Sequence, residues 1–323
     1  MKQRTTVLSC LIVCAAWLAG NAAAQTPAWT SKPVKFVNSF PPGGPSDILA
    51  RAVAEALQKQ FNQSFVVDNK PGAGGNLGTD LVAKAPADGT TVLWGIDTTF
   101  TVNPHIYKNL PYKHSDLKPL VVIGSSGLLV GVHPSTGYKT MQDLVAAGKT
   151  KPLNFSSGGS GSPGHLAVEV FTDAVGIKLT HIPYKGNSPA VLAIVAGEVD
   201  GGVLATPGML PQVKAGKITA LAVTSRKRSG LAPEVPTVAE AGVTELESEV
   251  LYVAMVSSAT PEPVLLAMQK AVLEALAHSD LQKRIASLDM AYEGLSGSAA
   301  AKRLADLHAR YGKVIAATGM KVD

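Results

Sequence analysis

Three glycine-rich segments carry most of the chemistry this 323-residue chain could perform: Pro41-Pro42-Gly43-Gly44-Pro45, Pro71-Gly72-Ala73-Gly74-Gly75 and Ser157–Ser162. Each follows a β-rich run and precedes a helical pattern. The first turn of a helix has unpaired backbone N–H groups and a partial positive charge. Glycine lets the chain take positive φ and lets a guest approach the backbone closely. Such a loop holds an anion without a cationic side chain. A hydrogen bond to a charged group nets roughly 1.5–3 kcal/mol, so four or five of them support about micromolar capture after association costs. The plainer alternative is that the glycines only make tight turns, and for any one loop that reading stays open. Three loops in matching contexts favour binding.

Other chemistries find fewer supports. The seven histidines include no i, i+4 pair, which argues against a metal site. No G-x-S-x-G elbow occurs, because the serines of Ser157–Ser162 have the wrong neighbours. Gly159 to Gly164 formally spells G-x-G-x-x-G. Pro163 removes one donor, however, and no acid lies near residue 181 to hold a ribose, so no dinucleotide cofactor is expected. Ser46 and Asp47 serve as first-turn or cap residues. A carboxylate facing a bound anion would repel it, so Asp47 is expected to turn away and brace its loop. His165 is read as a hydrogen-bonding residue that also helps position ligand.

The elements that position these loops alternate. A strand over 34–40 precedes a helix carrying Leu49, Val53, Leu57 and Phe61 on one face. A strand at 65–68, a short helix to Lys84 and a strand at 91–96 complete a parallel unit. A β-rich stretch, 120–133, breaks at Gly124–Gly127, read as the crossing into a second domain. That domain holds a helix at 141–147, strands at 153–156, 181–184, 202–204 and 218–224, and helices over 157–173 and 188–197. Leu251–Ser257 is read as the return strand. Thr260-Pro261 reads as a cap and first-turn proline for a helix with Leu265, Met268, Val272 and Leu276, and a last helix carries Leu304, Leu307, Tyr311 and Val314. These C-terminal helices are expected to pack back on the first domain.

The first 24 residues read as a secretory leader: Lys2 and Arg4, an apolar run from Val7 to Ala19, then Ala22-Ala23-Ala24 before Gln25. Cleavage there removes both cysteines, Cys10 and Cys14, and with them any disulfide or thiolate chemistry. Formal charge falls from +5 to +3, and the basic cluster Arg226-Lys227-Arg228 is too short for a nucleic-acid footprint. The product is expected in the periplasm, not membrane-embedded.

At these residues the sequence resembles the Bug-type extracytoplasmic receptors of tripartite tricarboxylate transporters. The matching stretches are Pro42-Gly43-Gly44-Pro45-Ser46-Asp47 with Ala50-Arg51, Asn69 to Asn76, and Asp88-Gly89. They continue with Ser157-x-Gly159-x-Gly161-Ser162-x-x-His165-Leu166, Pro183 to Gly186, Val199-Asp200, and Pro236-Thr237-x-x-Glu240-Ala241-Gly242. The resemblance implies an α/β type II periplasmic-binding-protein fold, a Venus flytrap whose two lobes each hold a central, mostly parallel sheet. Lobe one is expected to comprise residues 25–127 and 253–323, and lobe two 128–252. It implies capture of a small organic carboxylate and delivery to a membrane permease. Carried onto this chain, the lobe-one contacts are Phe40, Gly43, Gly44, Ser46 and Ala73, with Thr98 and Thr99 after the third strand. Lobe two offers Ser157, Gly161, Ser162 and His165. No catalytic residue, metal or cofactor is implied, and a monomer is the default for a hinged receptor. Two alternatives remain: a sensor presenting ligand to a signalling partner, and a periplasmic enzyme using the same cleft. Many relatives have an acid where this chain has Leu204, and a Trp-Tyr pair where it has Leu251-Tyr252. An apolar residue 204 suggests a carboxylate without an amino group, with an aliphatic or aromatic body.

Overall fold

The computed structural model describes Trp29 and residues 32–322, so the expected leader and its cleavage site lie outside the described residues. The chain begins as a parallel β-α-β-α-β unit: β1 (Val34–Asn38), α1 (Pro45–Phe61), β2 (Phe65–Asn69), α2 (Asn76–Ala83) and β3 (Thr91–Ile96). β1 pairs in parallel with both β2 and β3, so the first two glycine loops emerge at the same edge of one sheet. Leu49, Val53 and Leu57 of α1 are fully buried against it. Burial of side chains of this size stabilises by roughly 1.5–3 kcal/mol each. Pro45 opens the helix, and Asn62 at φ 49° closes it in the left-handed region.

After β3 come two single-turn helices, α3 (Thr98–Thr101) and α4 (Asn103–Ile106), then β4 (Leu117–Ser126). β5 (Leu128–Val132) starts a second sheet, followed by α5 (Met141–Thr150), β6 (Leu153–Ser157), α6 (Pro163–Val175), β7 (Leu179–Pro183), α7 (Asn187–Ala196), β8 (Gly201–Ala205), α8 (Thr206–Lys214) and β9 (Thr219–Val223). Its order is β7-β6-β8-β5-β9, with β6 parallel to β7 and β8. β10 (Val250–Ser257) returns to the first sheet; α9 (Glu262–Ala277), α10 (Ser279–Ser287), β11 (Ala291–Leu295) and α11 (Gly297–Thr318) complete the chain. The first sheet runs β11-β4-β10-β3-β1-β2, with β10 antiparallel to both neighbours.

The crossings between sheets are sharper than the sequence suggested. Gly124–Ser126 still belong to β4, and the break falls at Gly127 alone. A Cβ there would meet Ser225 Oγ at 2.6 Å and its backbone N at 2.8 Å. The return, expected at 252/253, falls before Val250, because Val250, Leu251 and Tyr252 already pair with Ser126, Ser125 and Gly124. Thr224 joins the crossing segments: its N donates to Leu128 O and its Oγ1 to Ser248 O, each at 2.8 Å. Thr260 is not the α9 cap. Pro261 occupies that position, since the Thr260 amide closes a turn onto Ser257 O at 3.0 Å. Between the C-terminal helices, β11 adds an edge strand the sequence reading lacked.

Candidate functional site

The first loop is built around Asp47. This side chain is 3% exposed and turns back under the loop. Its Oδ2 accepts the Gly43 amide at 2.9 Å and Arg51 Nε at 3.1 Å. Its Oδ1 meets Asn69 Nδ2 at 2.9 Å and Arg51 Nη2 at 3.0 Å. Asn69 Nδ2 and Asn38 Nδ2 both donate to Phe40 O at 3.1 Å. Burial opposes ionisation of Asp47, yet the hydrogen bonds from Arg51, Gly43 and Asn69 outweigh it and hold the carboxyl below its ordinary value. The brace expected of Asp47 is therefore present, but it occupies the Gly43 amide, one of the donors expected to face ligand.

The second loop is strained. Gly72, Ala73, Gly74 and Gly75 all have positive φ, and Ala73, at 49°, is one of three non-glycine residues in that region among the described residues. Left-handed backbone costs an L-residue roughly 1–2 kcal/mol, and such strain gathers at functional sites. Gly75 is the meeting point of the lobe-one loops: a Cβ there would fall 2.8 Å from Thr99 Cγ2, 3.2 Å from Phe40 Cζ and 3.4 Å from Ser39 Oγ. Asn103 ties this loop to α4, its Nδ2 donating to Gly74 O at 3.0 Å and Asn76 Oδ1 at 2.6 Å. Ser39 Oγ, Thr98 Oγ1 and Asn103 Oδ1 are buried without a hydrogen-bond partner among the described residues. Polar atoms of this kind are those a guest or ordered water must satisfy.

Asp97, just before Thr98, is fully buried; it accepts the Leu251 amide at 2.8 Å and Thr101 Oγ1 at 2.7 Å. Burial raises its carboxyl to about 6 despite these bonds.

The third loop faces the α4 segment that follows β3. A Cβ on Gly161 would lie 3.1 Å from Ile106 Cδ1 and 3.6 Å from Tyr107 Cε2, both carried on the first sheet's side. Pro163 and Leu166 share a cavity wall with Asp97, Thr98 and Val250. Within the loop, Ser162 caps α6 by accepting the His165 amide at 3.3 Å. The Gly161 amide donates to His165 Nδ1 at 3.1 Å, so this donor too is engaged internally. His165 stacks on His181, ring centroids 3.8 Å apart and planes 14° from parallel. Its Nε2 lies 3.4 Å from Glu169 Oε1.

Phe40, Gly43, Gly44, Ser46, Ala73, Thr98 and Thr99 thus stand at the carboxyl ends of β1, β2 and β3. Ser157, Gly161, Ser162 and His165 stand at the end of β6. Ser39, Asn103, Tyr107 and His181 were missed. Asn103 sits in a stretch without periodicity, and His181 is brought to Ser157 only by the β6–β7 register, which pairs Phe155 with His181. Leu204 was misplaced: it is 2% exposed and packs with Leu129, Ile194 and Met209 inside the second lobe. The argument from Leu204 against an amino group therefore has no geometric footing.

Ser157 Oγ and His181 Nε2, 2.5 Å apart, have the spacing of a nucleophile and its base. Burial, and next the adjoining His165, push His181 down to about 4, far from the range that suits a base at neutral pH. Ser157 is also wholly buried. The pair is suited to holding a hydroxyl in place. Among the described residues no cluster of metal-ligating side chains occurs, and no helix is long and apolar enough to cross a membrane.

Comparison with known proteins points to one family. Residues 49–320 match the family described as "Tripartite tricarboxylate transporter family receptor". Protein BugT of Bordetella pertussis is 33% identical over 270 residues, 82% of each chain. Among solved structures, R. palustris Rpa4515 with adipate superposes at TM-score 0.85 with 30% identity, covering 91% of this chain and 99% of that one. The periplasmic binding protein BugD gives 0.82 at 28%, covering 90% and 99%. MatC of Rhodopseudomonas palustris, with bound malate, gives 0.81 at 25%, covering 88% and 99%. These relatives are solute-binding receptors, not enzymes, and share the two-sheet α/β architecture. The chain belongs to the tripartite tricarboxylate transporter receptor family and is a Bug-type solute-binding receptor.

Proposed function

We propose that this receptor closes on a small organic carboxylate between lobe one (residues 32–127 and 250–322) and lobe two (128–249), and passes it to a membrane permease from the periplasm. The observation that carries the reading is convergence. Loops from β1, β2 and β3 meet around Gly75, and the β6 loop lies at Gly161 against α4, which Asn103 ties to the second loop. Adipate and malate in the related structures supply the ligand class. In this reading Phe40, Gly44, Ser46, Ala73, Thr98 and Thr99 offer backbone and hydroxyl groups to one carboxylate. Ser157, Ser162 and His165 shape the other end of the cleft, while Gly43 and Gly161 serve through loop shape because their amides are already bonded.

The test is calorimetry and thermal shift of the mature chain against a panel including adipate and malate. At saturation near 100 times Kd, a ligand stabilises by about 2.7 kcal/mol, which a melting curve resolves. No response across mono- and dicarboxylates would end the carboxylate assignment. Delivery is tested separately, by ligand uptake in cells with and without the receptor: unchanged uptake would remove the transport role while leaving binding intact.

A further inference from the structure

One hydroxyl in the second lobe has more neighbours than it has protons. Ser157 lies beneath the first turn of α6, where a Cβ on Gly164 would come within 3.2 Å of its own Cβ. Its Oγ accepts the Gly159 amide at 3.2 Å. It also lies 3.3 Å from Ser162 Oγ, 3.2 Å from Gly159 O and 2.5 Å from His181 Nε2. A serine hydroxyl has one proton and two lone pairs. Ser162 Oγ donates its proton to Ser157. The Gly159 amide and Ser162 then fill both lone pairs, and the Ser157 proton goes to its shortest neighbour, His181 Nε2. His181 is therefore neutral, protonated on Nδ1.

The adjoining ring is fixed by the same counting. Because His165 Nδ1 accepts the Gly161 amide, its proton is on Nε2, toward Glu169. The groups acting on His181 are thus Ser157 from β6 and His165 and Glu169 from α6; His165 opposes its protonation and Glu169 favours it.

A proton placed on Nε2 reverses this chain. Nε2–H must now donate, so Ser157 Oγ accepts it and turns its own hydrogen to Gly159 O. Its lone pairs are then held by His181 and the Gly159 amide. Ser162 loses its acceptor, and its half-buried hydroxyl is freed to donate into the cleft.

We infer that His181 is a proton-linked positioning residue of the second half-site: its protonation releases the Ser162 hydroxyl toward the ligand and sets a positive charge behind it, so an acid with a second carboxylate at its far end binds with uptake of a proton. This rests on the receptor function proposed above. The sign follows from electrostatics. Burial and the adjoining His165 push His181 down to about 4; a carboxylate nearby favours the charged imidazole and raises that value. Affinity for the two-ended acid therefore strengthens as pH falls from neutral toward the range in which the acid's own carboxylates take up protons. A one-ended acid, held by the lobe-one loops, shows no such linkage.

The experiment is titration calorimetry near pH 6 in two buffers of different ionisation heat, with adipate and malate as two-ended probes and hexanoate as the one-ended probe. The proteins are wild type and His181→Gln. Glutamine keeps a hydrogen-bonding group near the Nε2 position but does not titrate. Ionisation of the probe is common to both proteins and cancels in their difference. Wild type is expected to take up a measurable fraction of a proton with the two-ended probe, and to bind it about threefold more tightly near pH 6 than near pH 7.5. His181→Gln should show neither effect in the binding it retains, and hexanoate should show neither in either protein. If His181→Gln does not fold, the His181 imidazole signals of the wild type, followed by NMR across pH with and without adipate, read the same linkage. Proton uptake equal in wild type and folded His181→Gln, or an imidazole titration that adipate leaves unmoved, would overturn the role of His181 and leave the receptor function standing. Failure of all three probes to bind wild type would overturn both.

Discussion

The two half-sites are made from different acid–base materials. In lobe one the loops are organised around carboxylates: Asp47, held below its ordinary value by Arg51, Gly43 and Asn69, and Asp97, raised by burial. In lobe two the loop is organised around stacked imidazoles, with Glu169 behind them. The Asp47 brace is a fixed set of charge-assisted bonds that stays the same at any pH above the acid range. The imidazole relay is built from neutral groups whose hydrogen-bond directions depend on a single proton. One lobe presents an anchor of constant shape; the other can change which groups it offers.

The sharpest test sets the two materials against each other through stability. Asp97 has its folded value raised to about 6, so between about 4 and 6 the folded chain binds more protons than the unfolded one, and its contribution falls as pH rises. His181 has its folded value lowered to about 4, so across the same window the folded chain binds fewer protons, and its contribution grows as pH rises. Each shift corresponds to about 3 kcal/mol, and in the wild type the two largely offset. Burial also lowers His105 and His114, but that background is shared by every variant. Asp97→Asn keeps an acceptor for the Leu251 amide and should gain stability toward neutral pH relative to wild type. His181→Gln should lose it. Urea unfolding from about pH 4 to 7 reads both, and three parallel curves would break the contrast between the lobes.

The next effect is the anchor itself. Asp47→Ala leaves the Gly43 amide without its acceptor beneath the loop and takes from Asn69 Nδ2 one of two, the other being Phe40 O. Stability should fall by about 2–3 kcal/mol, and carboxylate affinity should drop at least about tenfold as the loop relaxes. The proton uptake assigned to lobe two should persist in whatever binding remains. Abolished linkage in Asp47→Ala would mean that the half-sites do not act separately.

The sequence made some of this visible and hid the rest for identifiable reasons. α1 was legible because Leu49, Val53 and Leu57 recur at helical spacing, and the three loops because proline and glycine mark them. The brace was legible from charge alone: a carboxylate beside an anion site must turn away, and Asp47 does. β11 was hidden because Ala291–Leu295 is an edge strand with two exposed and three half-buried residues and none fully buried, so no alternation marks it. α3 and α4 are four-residue turns, too short for periodicity. Leu204 misled because β8 is covered on both faces: Val203 and Leu204 are both buried, and residue type could not say which side meets the cleft. The Ser157–His181 pair spans 24 positions, and only the parallel register of β6 and β7 joins them.

The smallest effect separates charge from geometry within the anchor. Arg51 is about half exposed, so its net charge contributes little through water. Its fork is what the loop uses: Nε and Nη2 grip the two Asp47 oxygens, and Nη2 also donates to Asn69 Oδ1 at 2.9 Å. Lysine keeps the charge but not the planar fork, and an ammonium on a flexible stem cannot hold Asp47 and Asn69 in one plane. Arg51→Lys should therefore cost about 0.5–1 kcal/mol in urea unfolding, within the range of a partly exposed ion pair. Raising salt to about 0.5 M should lower wild-type stability by less than that, since screening weakens the exposed charge more than the short bonds. If Arg51→Lys is neutral while salt destabilises the wild type, net charge would be holding the first loop, and the contrast between a geometric anchor and a titratable relay would lose one side.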